Sequence, residues 1–96
     1  MQDDPRYDQP HYYMGVIYRV RKELRSATVE FEKAIELNPN NARAHGNLAF
    51  VFLDLGKLER AERCMRRASE LDPTDQLMRD TLAQIRELQQ RSNSAK

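Results

Sequence analysis

The side chains of this sequence that could do chemistry are few. There are two histidines, His11 and His45, which lie 34 positions apart, and a single cysteine, Cys64. The sequence contains no phosphate-cradling glycine loop, no His-Glu-x-x-His pair and no nucleophile beside a general base. We therefore predict that the chain is not an enzyme and expect no cofactor and no metal. The histidines are interpreted as packing residues, with metal binding as the alternative, and Cys64 as a small apolar filler rather than a reactive thiol.

The charge of the chain points to no particular partner. Sixteen Lys and Arg residues against fifteen Asp and Glu residues leave a formal net charge of +1, so no broad field attracts nucleic acid or an anionic membrane. Arg60, Arg63 and Arg67 form a basic stripe that is interleaved with Glu59 and Glu62. A solvated outer helix face is the favoured interpretation of this stripe, and an acidic partner or RNA backbone is the alternative.

No segment has the length and hydrophobicity of a membrane span. The uncharged run that follows Asp8 and ends at Tyr18 contains Gln9, Pro10 and His11, and no uncharged run is long enough to be a spanning helix or signal core. We expect no membrane partner. Cytoplasmic is the default location, although a signal or anchor removed before residue 1 would leave no trace.

An internal repeat organises most of the chain. Pro39 and Pro73 each close a segment with helical spacing of apolar residues, and the two prolines lie 34 positions apart. The same offset carries Pro39 back to Pro5, so the chain can begin in the tail of an earlier repeat. Shifting the sequence by this offset superposes similar residues: Met14 on Leu48, Ile17 on Val51, Tyr18 on Phe52, Ala27 on Ala61 and Phe31 on Met65.

Each repeat unit is predicted to form two helices. Gly56 interrupts the second unit where the chain must reverse, because glycine tolerates the left-handed backbone that ends many helices. Lys22 takes this place in the first unit, where the same backbone would cost up to about 1 kcal/mol. Asn41 and either Thr74 or Asp75 are candidate caps for the helices that follow the prolines. The sequence predicts five helices, over roughly residues 9–21, 25–37, 42–55, 58–71 and 75–90.

These residues resemble the tetratricopeptide repeat, a 34-residue unit with large and small residues at set places. Both units have a histidine, His11 or His45, where the family usually has Trp. Gly15 is expected to face Ala27 so that the two backbones of the first pair approach closely. The resemblance rests on Gly15, Tyr18, Ala27, Phe31, Ala34 and Pro39 in the first unit, and on Leu48, Ala49, Phe52, Gly56, Ala61, Met65, Ala68 and Pro73 in the second.

The resemblance implies an all-α fold, a right-handed α-α superhelix (solenoid) of antiparallel helix pairs. The expected organisation is a leader or tail of a preceding repeat at 1–7, repeats at 8–41 and 42–75, a capping helix at 76–91 and a disordered tail at 92–96. The predicted first helix is apolar almost all round, as in an element covered on both faces. An earlier repeat, a second copy of the chain or a bound ligand helix could cover its outer side, and the earlier repeat is favoured.

The resemblance also implies a concave groove, lined by the first helices of successive repeats, in which a protein or peptide partner binds. Phe50 and Leu53 are unusually apolar for a solvated face. They indicate either a pocket for an apolar or amphipathic segment or contact with a neighbouring helix or copy. The groove residues implied are Tyr12, Val16, Arg19, Arg43, Asn47, Phe50 and Leu53, with Gln9, Gly46, Leu77, Asp80 and Gln84 on the same face.

Some family members grip the carboxylates of a peptide C-terminus with Lys, Asn and Arg residues. Only Asn47 matches this set, so we do not expect recognition of a chaperone tail. The leading hypothesis is a scaffold or adaptor module that binds a peptide or helix of a partner. The alternatives are a structural or self-associating segment of a longer repeat protein, with self-association through the first helix, and the regulatory arm of an enzyme whose catalytic domain lies elsewhere.

Overall fold

Five helices follow one another in the computed structural model, which describes residues 8–94. They are α1 (Asp8–Val20), α2 (Leu24–Leu37), α3 (Ala42–Asp54), α4 (Leu58–Leu71) and α5 (Gln76–Ser94). The residues described contain no strand, and each helix lies within a few residues of its predicted position. The predicted all-α class with five helices is therefore confirmed.

Each helix packs chiefly on its neighbours in the chain. The contacts of α1 with α2 and of α3 with α4 are the most extensive, and α2 joins α3 as α4 joins α5. This nearest-neighbour packing gives an elongated body of 50 × 29 × 17 Å. It is the packing expected of a helical repeat, in which every unit contacts only the next.

The turns inside the two helix pairs have the same geometry. Lys22 has φ 66° and Gly56 has φ 76°, so both residues adopt the left-handed conformation. The N–H of Glu23 donates to the carbonyl of Tyr18 at 2.8 Å, and that of Lys57 donates to Phe52 at 2.8 Å. The N–H of Lys22 donates to the carbonyl of Arg19, and that of Gly56 donates to Leu53, both at 3.0 Å. These bonds form the same helix-ending motif in both pairs. Lys22 therefore adopts the same left-handed backbone as Gly56.

The helices that follow the prolines begin with side-chain caps. The Oδ1 atom of Asn41 accepts a hydrogen bond from the N–H of Ala44 at 3.0 Å, and Oδ1 of Asp75 accepts from Met78 at 3.1 Å. Such caps satisfy N–H groups that have no partner inside the helix. Asp75, rather than Thr74, is the cap of α5.

The signature residues of the repeat divide between the core and the turns. The ring of Phe31 supplies the atoms nearest to an ideal Cβ on Gly15, at 2.7 Å, so Gly15 meets Phe31 more closely than it meets Ala27, its expected neighbour. Tyr18 is half-buried, whereas Pro39, Gly56 and Pro73 are exposed in turns. The buried signature residues are Gly15, Ala27, Phe31, Ala34, Leu48, Ala49, Phe52, Ala61, Met65 and Ala68.

The ends of the chain differ from expectation at one point. The segment 92–96 was expected to be disordered, but residues 92–94 continue α5. Residues 1–7, expected to be a leader or the tail of a preceding repeat, lie outside the described residues. On α5, Met78, Leu82 and Ile85 are buried, while Arg79 and Arg86 are exposed together with Leu77 and Leu88.

Candidate partner-binding groove

Tyr12 and Asn47 connect the first helices of the two pairs. The Nδ2 atom of Asn47 on α3 donates a hydrogen bond to the hydroxyl of Tyr12 on α1 at 3.2 Å. The Tyr12 ring also packs against the rings of Tyr13 and Phe31, with centroids at 5.3 and 6.0 Å. Two of the residues implied by the resemblance are thus in direct contact and held in place by aromatic packing.

A second contact between the same helices lies farther along the groove. The guanidinium of Arg19 on α1 lies over the ring of Phe50 on α3, 5.0 Å from its centroid, which is a cation–π distance. Val16 and Leu53 are half-buried and pack against the core. The sequence implied that Arg19 and Phe50 share a face but did not predict this stacking.

A pocket of about 210 Å³ lies between α3 and α5. Three residues of the implied groove line this pocket: Arg43, Asn47 and Phe50. Phe50 thus forms part of the pocket wall in addition to its contact with Arg19. Both interpretations of Phe50, as part of a pocket for a partner and as a contact with a neighbouring helix or copy, stay predictions. The other lining residues are Gly46 and Leu77, which were expected on this face, and Met65, Asp75 and Met78, which were not.

Of the three lining residues that were not expected, two had been assigned other roles from sequence and Met78 had been assigned none. Met65 is a core residue of the repeat, and Asp75 was recognised only as a cap. The shift of 34 positions places Met78 on Ala44, a buried residue of α3. This equivalence could have predicted from sequence that Met78 is buried. The pocket is mostly apolar, with polar groups at its rim, which is usual for sites that bind small ligands or side chains.

The two histidines form hydrogen bonds with different groups in the two repeats. Nδ1 of His11 donates to a carboxylate oxygen of Glu30 on α2 at 2.8 Å. Nε2 of His45 donates to the carbonyl of Pro39 at 3.0 Å. Within residues 8–94 there is no group of three or more His, Cys, Asp and Glu residues placed to hold a metal. Both side chains therefore join their helix to the neighbouring backbone or helix.

Cys64 is half-buried on α4. Burial raises the pKa of its thiol from 9.0 to about 11, and this exceeds the lowering effect of the nearby Arg63. Because the thiolate is the reactive form, the environment disfavours nucleophilic chemistry at this residue.

Two residues of the basic stripe of α4 contact other residues of this chain. The guanidinium of Arg60 lies 5.9 Å from the centroid of the Phe52 ring, and Arg67 pairs with Glu70 at 3.6 Å. Glu62 forms an ion pair with Arg66 at 3.8 Å and accepts a hydrogen bond from Arg86 of α5 at 3.3 Å. These pairs are surface contacts of the kind that contribute little to stability individually.

The outer side of α1 is apolar and exposed, unlike the equivalent side of α3. Met14 and Ile17 are 40% and 48% exposed, whereas their equivalents Leu48 and Val51 are 4% and 0% exposed. Helix α3 lies between α2 and α4, while α1 packs mainly on α2 among the residues described. In α3, the equivalent side faces α2. In the described part of the chain, no helix packs against this side of α1.

No helix of the described residues is long and apolar enough to cross a membrane.

The sequence matches the family described as tetratricopeptide repeat over residues 20–85. It is 33% identical over 66 residues to the protein CTR9 homolog of Arabidopsis thaliana, and the aligned residues are 69% of this chain and 6% of that protein. It is 28% identical over 72 residues to the protein O-mannosyl-transferase TMTC3 of Mus musculus, covering 75% of this chain and 8% of the relative. The chain thus spans under a tenth of the length of either relative.

A solved structure has the same arrangement of helices. The first TPR of Spaghetti (RPAP3), bound to the HSP90 peptide SRMEEVD, superposes with a TM-score of 0.82 at 24% identity. The superposition covers 88% of this chain and 68% of that structure. At this identity the likeness establishes the helical-repeat fold alone.

Proposed function

Since this chain belongs to the tetratricopeptide-repeat family, whose repeats are generally non-catalytic interaction modules, we propose that it binds a peptide segment of a partner protein in the groove formed by α1, α3 and α5. The repeats of this family form a helical solenoid, and the solved relative with the same fold holds a peptide. A peptide or an extended protein segment is therefore the class of ligand we infer for this chain.

The pocket between α3 and α5 is the observation that carries this proposal. Its apolar wall includes Phe50 and Leu77, and Leu77 remains 66% exposed. Arg43 and Asn47 lie at its rim, and Asn47 is held by its bond to Tyr12. An apolar recess with a few convergent polar groups is the usual form of a recognition site, because apolar contact supplies affinity and the polar groups fix orientation.

The ligand is expected to differ from the peptide in the solved relative. Leu77 and Asp80 of α5 take places where the resemblance implies cationic carboxylate-binding residues. Asp80 is exposed and accepts a hydrogen bond from Gln76 at 2.8 Å, so it presents a negative charge on this face. A second carboxylate close to it would be disfavoured, since like charges without a counter-ion repel.

The experiment compares two matched double variants in a pull-down from source-cell lysate. Arg43→Glu with Leu77→Ser changes the groove, and Arg63→Glu with Val29→Ser makes the same two types of change on α4 and α2. All four positions are exposed, so both variants should fold, and circular dichroism checks this.

We expect a partner that is retained by the native chain and by the α2/α4 variant and lost by the groove variant. This result follows because only the groove variant places a negative charge at the rim and removes apolar contact from the pocket. Loss with the α2/α4 variant instead would assign binding to the opposite side. Equal retention by both variants would mean that the groove is not the binding surface.

A structural role is the second candidate, and the exposed apolar side of α1 favours it. In this role α1 packs on another helix in the position that α2 takes against α3. Sedimentation equilibrium over a range of concentrations, with Ile17→Glu as the variant, separates its forms. A mass that rises with concentration and is restored to the monomer by the substitution supports self-association. A monomeric mass for both chains would contradict self-association.

A further inference from the structure

The junctions between successive first helices differ at one position. The shift of 34 positions places Tyr12 of α1 on Gly46 of α3. At the first junction, the Tyr12 ring packs on Phe31 with centroids 6.0 Å apart, and the Tyr12 hydroxyl accepts a hydrogen bond from Asn47 at 3.2 Å. At the second junction, Gly46 has no side chain to make such contacts, and it lines the pocket of about 210 Å³.

The surroundings of this pocket correspond to those of Tyr12. Met65, the equivalent of Phe31, lines the pocket together with Gly46. Thr81, the equivalent of Asn47, is a polar residue of α5 that is only 6% exposed. The second junction therefore has an apolar and a polar residue at the two places that hold Tyr12 in the first, but it lacks the aromatic side chain between them.

The fold does not require Gly46 to be a glycine. A Cβ on Gly46 would meet only Met78 Cε at 3.6 Å and Ala68 Cβ at 3.9 Å, which are ordinary contacts. Glycine inside a helix is nevertheless destabilising relative to alanine. The absence of a side chain at this position thus keeps the pocket open at a cost to the stability of α3.

The size and walls of the pocket suit an aromatic ring. A cavity of about 150 Å³ is large enough for benzene, so a pocket of about 210 Å³ can take a phenol. Its walls include the Phe50 ring and the thioethers of Met65 and Met78. Aromatic rings interact favourably with other rings and with sulfur, whereas an aliphatic side chain gains only apolar contact.

We propose that the pocket between α3 and α5 takes a tyrosine side chain of the partner, in the place that Tyr12 occupies at the first junction. The partner's ring lies against Met65, and its hydroxyl hydrogen-bonds to Thr81. This inference rests on the proposed function, because it specifies the ligand of the same groove. It also agrees with a ligand unlike the peptide SRMEEVD of the solved relative, which contains no aromatic residue.

The test uses two capped tripeptides, acetyl-Gly-Tyr-Gly-amide and acetyl-Gly-Leu-Gly-amide, titrated into the native chain. Methyl NMR follows the ε-methyl signals of Met65 and Met78 in the pocket and of Met14, which is 40% exposed on α1, as the internal control. We expect the tyrosine tripeptide to shift the two pocket signals and leave that of Met14 in place. It should bind about two- to tenfold more tightly than the leucine tripeptide, because of the sulfur–aromatic contacts.

Gly46→Tyr gives the second repeat the residue of the first. The chain should then fill its own pocket, and the tyrosine tripeptide should bind at least about tenfold more weakly, since the contact it makes is already occupied. Gly46→Ala leaves the pocket open and should keep the binding. If Gly46→Tyr fails to fold, the comparison of the two tripeptides on the native chain decides the question.

The role of the hydroxyl is tested with Thr81→Val, which keeps the shape of the side chain. This variant should weaken binding of the tyrosine tripeptide about two- to tenfold, the usual contribution of one hydrogen bond, and should not affect the phenylalanine tripeptide. An equal effect on both tripeptides, including none, would overturn the assignment of tyrosine.

Pocket signals that do not move with the tyrosine tripeptide, or equal or tighter binding of the leucine tripeptide, would overturn the inference. In the lysate pull-down, the partner should be lost with Gly46→Tyr and retained with Gly46→Ala. If the partner is lost by the double groove variant but retained by a folded Gly46→Tyr, this inference fails and the proposed function stands. If the partner is retained by all of these variants, both fail.

Discussion

Gly15 and Gly46 both lie inside first helices of their pairs, yet the surroundings of the two residues differ. An ideal Cβ on Gly15 would lie 2.7 Å from the ring of Phe31, which is fully buried. A Cβ on Gly46 would make only ordinary contacts. The same substitution should therefore have opposite effects at the two positions.

Gly15→Ala should lower the free energy of unfolding by about 1–3 kcal/mol, because the added methyl overpacks the contact with Phe31. Gly46→Ala should raise it by up to about 1 kcal/mol, because alanine is the better helix former and fits the space. Urea denaturation followed by circular dichroism measures both. Equal effects of the two substitutions would contradict the packing described for α1 and α2.

The thiol of Cys64 provides a test of burial on α4. Its pKa is raised from 9.0 to about 11 by burial, so at pH 8 the thiolate fraction should be about 100-fold below that of an unperturbed thiol. Alkylation by iodoacetamide should be slower than in the urea-unfolded chain by about this factor. Its rate should keep rising with pH through 9 rather than level off there.

The same shift has a defined effect on stability. The folded state favours the neutral thiol, so its contribution to stability is fully present below pH 9 and is lost as the pH rises toward 11. Alkylation of the folded chain at the rate of the unfolded one would show that Cys64 is open to solvent, and would contradict its position in the structure.

At the scale of the helices, the left-handed turns at Lys22 and Gly56 form a matched pair. Both close the same hydrogen-bonded motif, but only Lys22 carries a side chain at positive φ. A Cβ at Gly56 would have no atom within 4 Å, so a substitution there changes backbone strain without steric contact. The two positions thus isolate the energy of the backbone conformation.

Lys22→Gly should stabilise the chain by up to about 1 kcal/mol, because it removes the strain of a left-handed non-glycine residue. Gly56→Lys should destabilise it by a similar amount. Thermal unfolding of the two variants and of the native chain measures the difference. A destabilising Lys22→Gly would indicate that the Lys22 side chain contributes more than its backbone strain costs.

The positions of the helices were predictable because the sequence marks them locally. The prolines, the caps Asn41 and Asp75, and Gly56 each act within one turn of the backbone, so their effect can be read without knowing the fold. The end of α5 was not predictable in this way. After Pro73 the chain contains no proline or glycine, so no residue ends the helix, and polar residues 92–94 continue it.

The groove was predictable only in part, because its details depend on contacts between distant residues. The resemblance implied that Tyr12, Arg19, Asn47 and Phe50 share one face. The Tyr12–Asn47 bond and the Arg19–Phe50 stacking join residues more than 30 positions apart, and their geometry depends on how α1 and α3 pack. The space around Gly46 likewise depends on the packing of α3 against Met78 and Ala68.

At the scale of the whole molecule, the two sides of the solenoid differ in what they offer a partner. The groove side has a recess with apolar walls and a polar rim, between α3 and α5. The opposite side, formed by α2 and α4, has charged residues, several of which pair with one another. Each repeat contacts only its neighbours in the chain. A ligand that spans α1, α3 and α5 would therefore bridge successive helix pairs in addition to occupying the groove.

The most direct test of groove binding is site-specific photo-crosslinking in the source cells. A photoreactive phenylalanine analogue replaces Leu77 in the groove or, in the matched control, Val29 on α2; these side chains are 66% and 48% exposed. We expect a crosslinked partner from position 77 and none from position 29. A partner crosslinked from position 29 and not from position 77 would contradict binding in the groove.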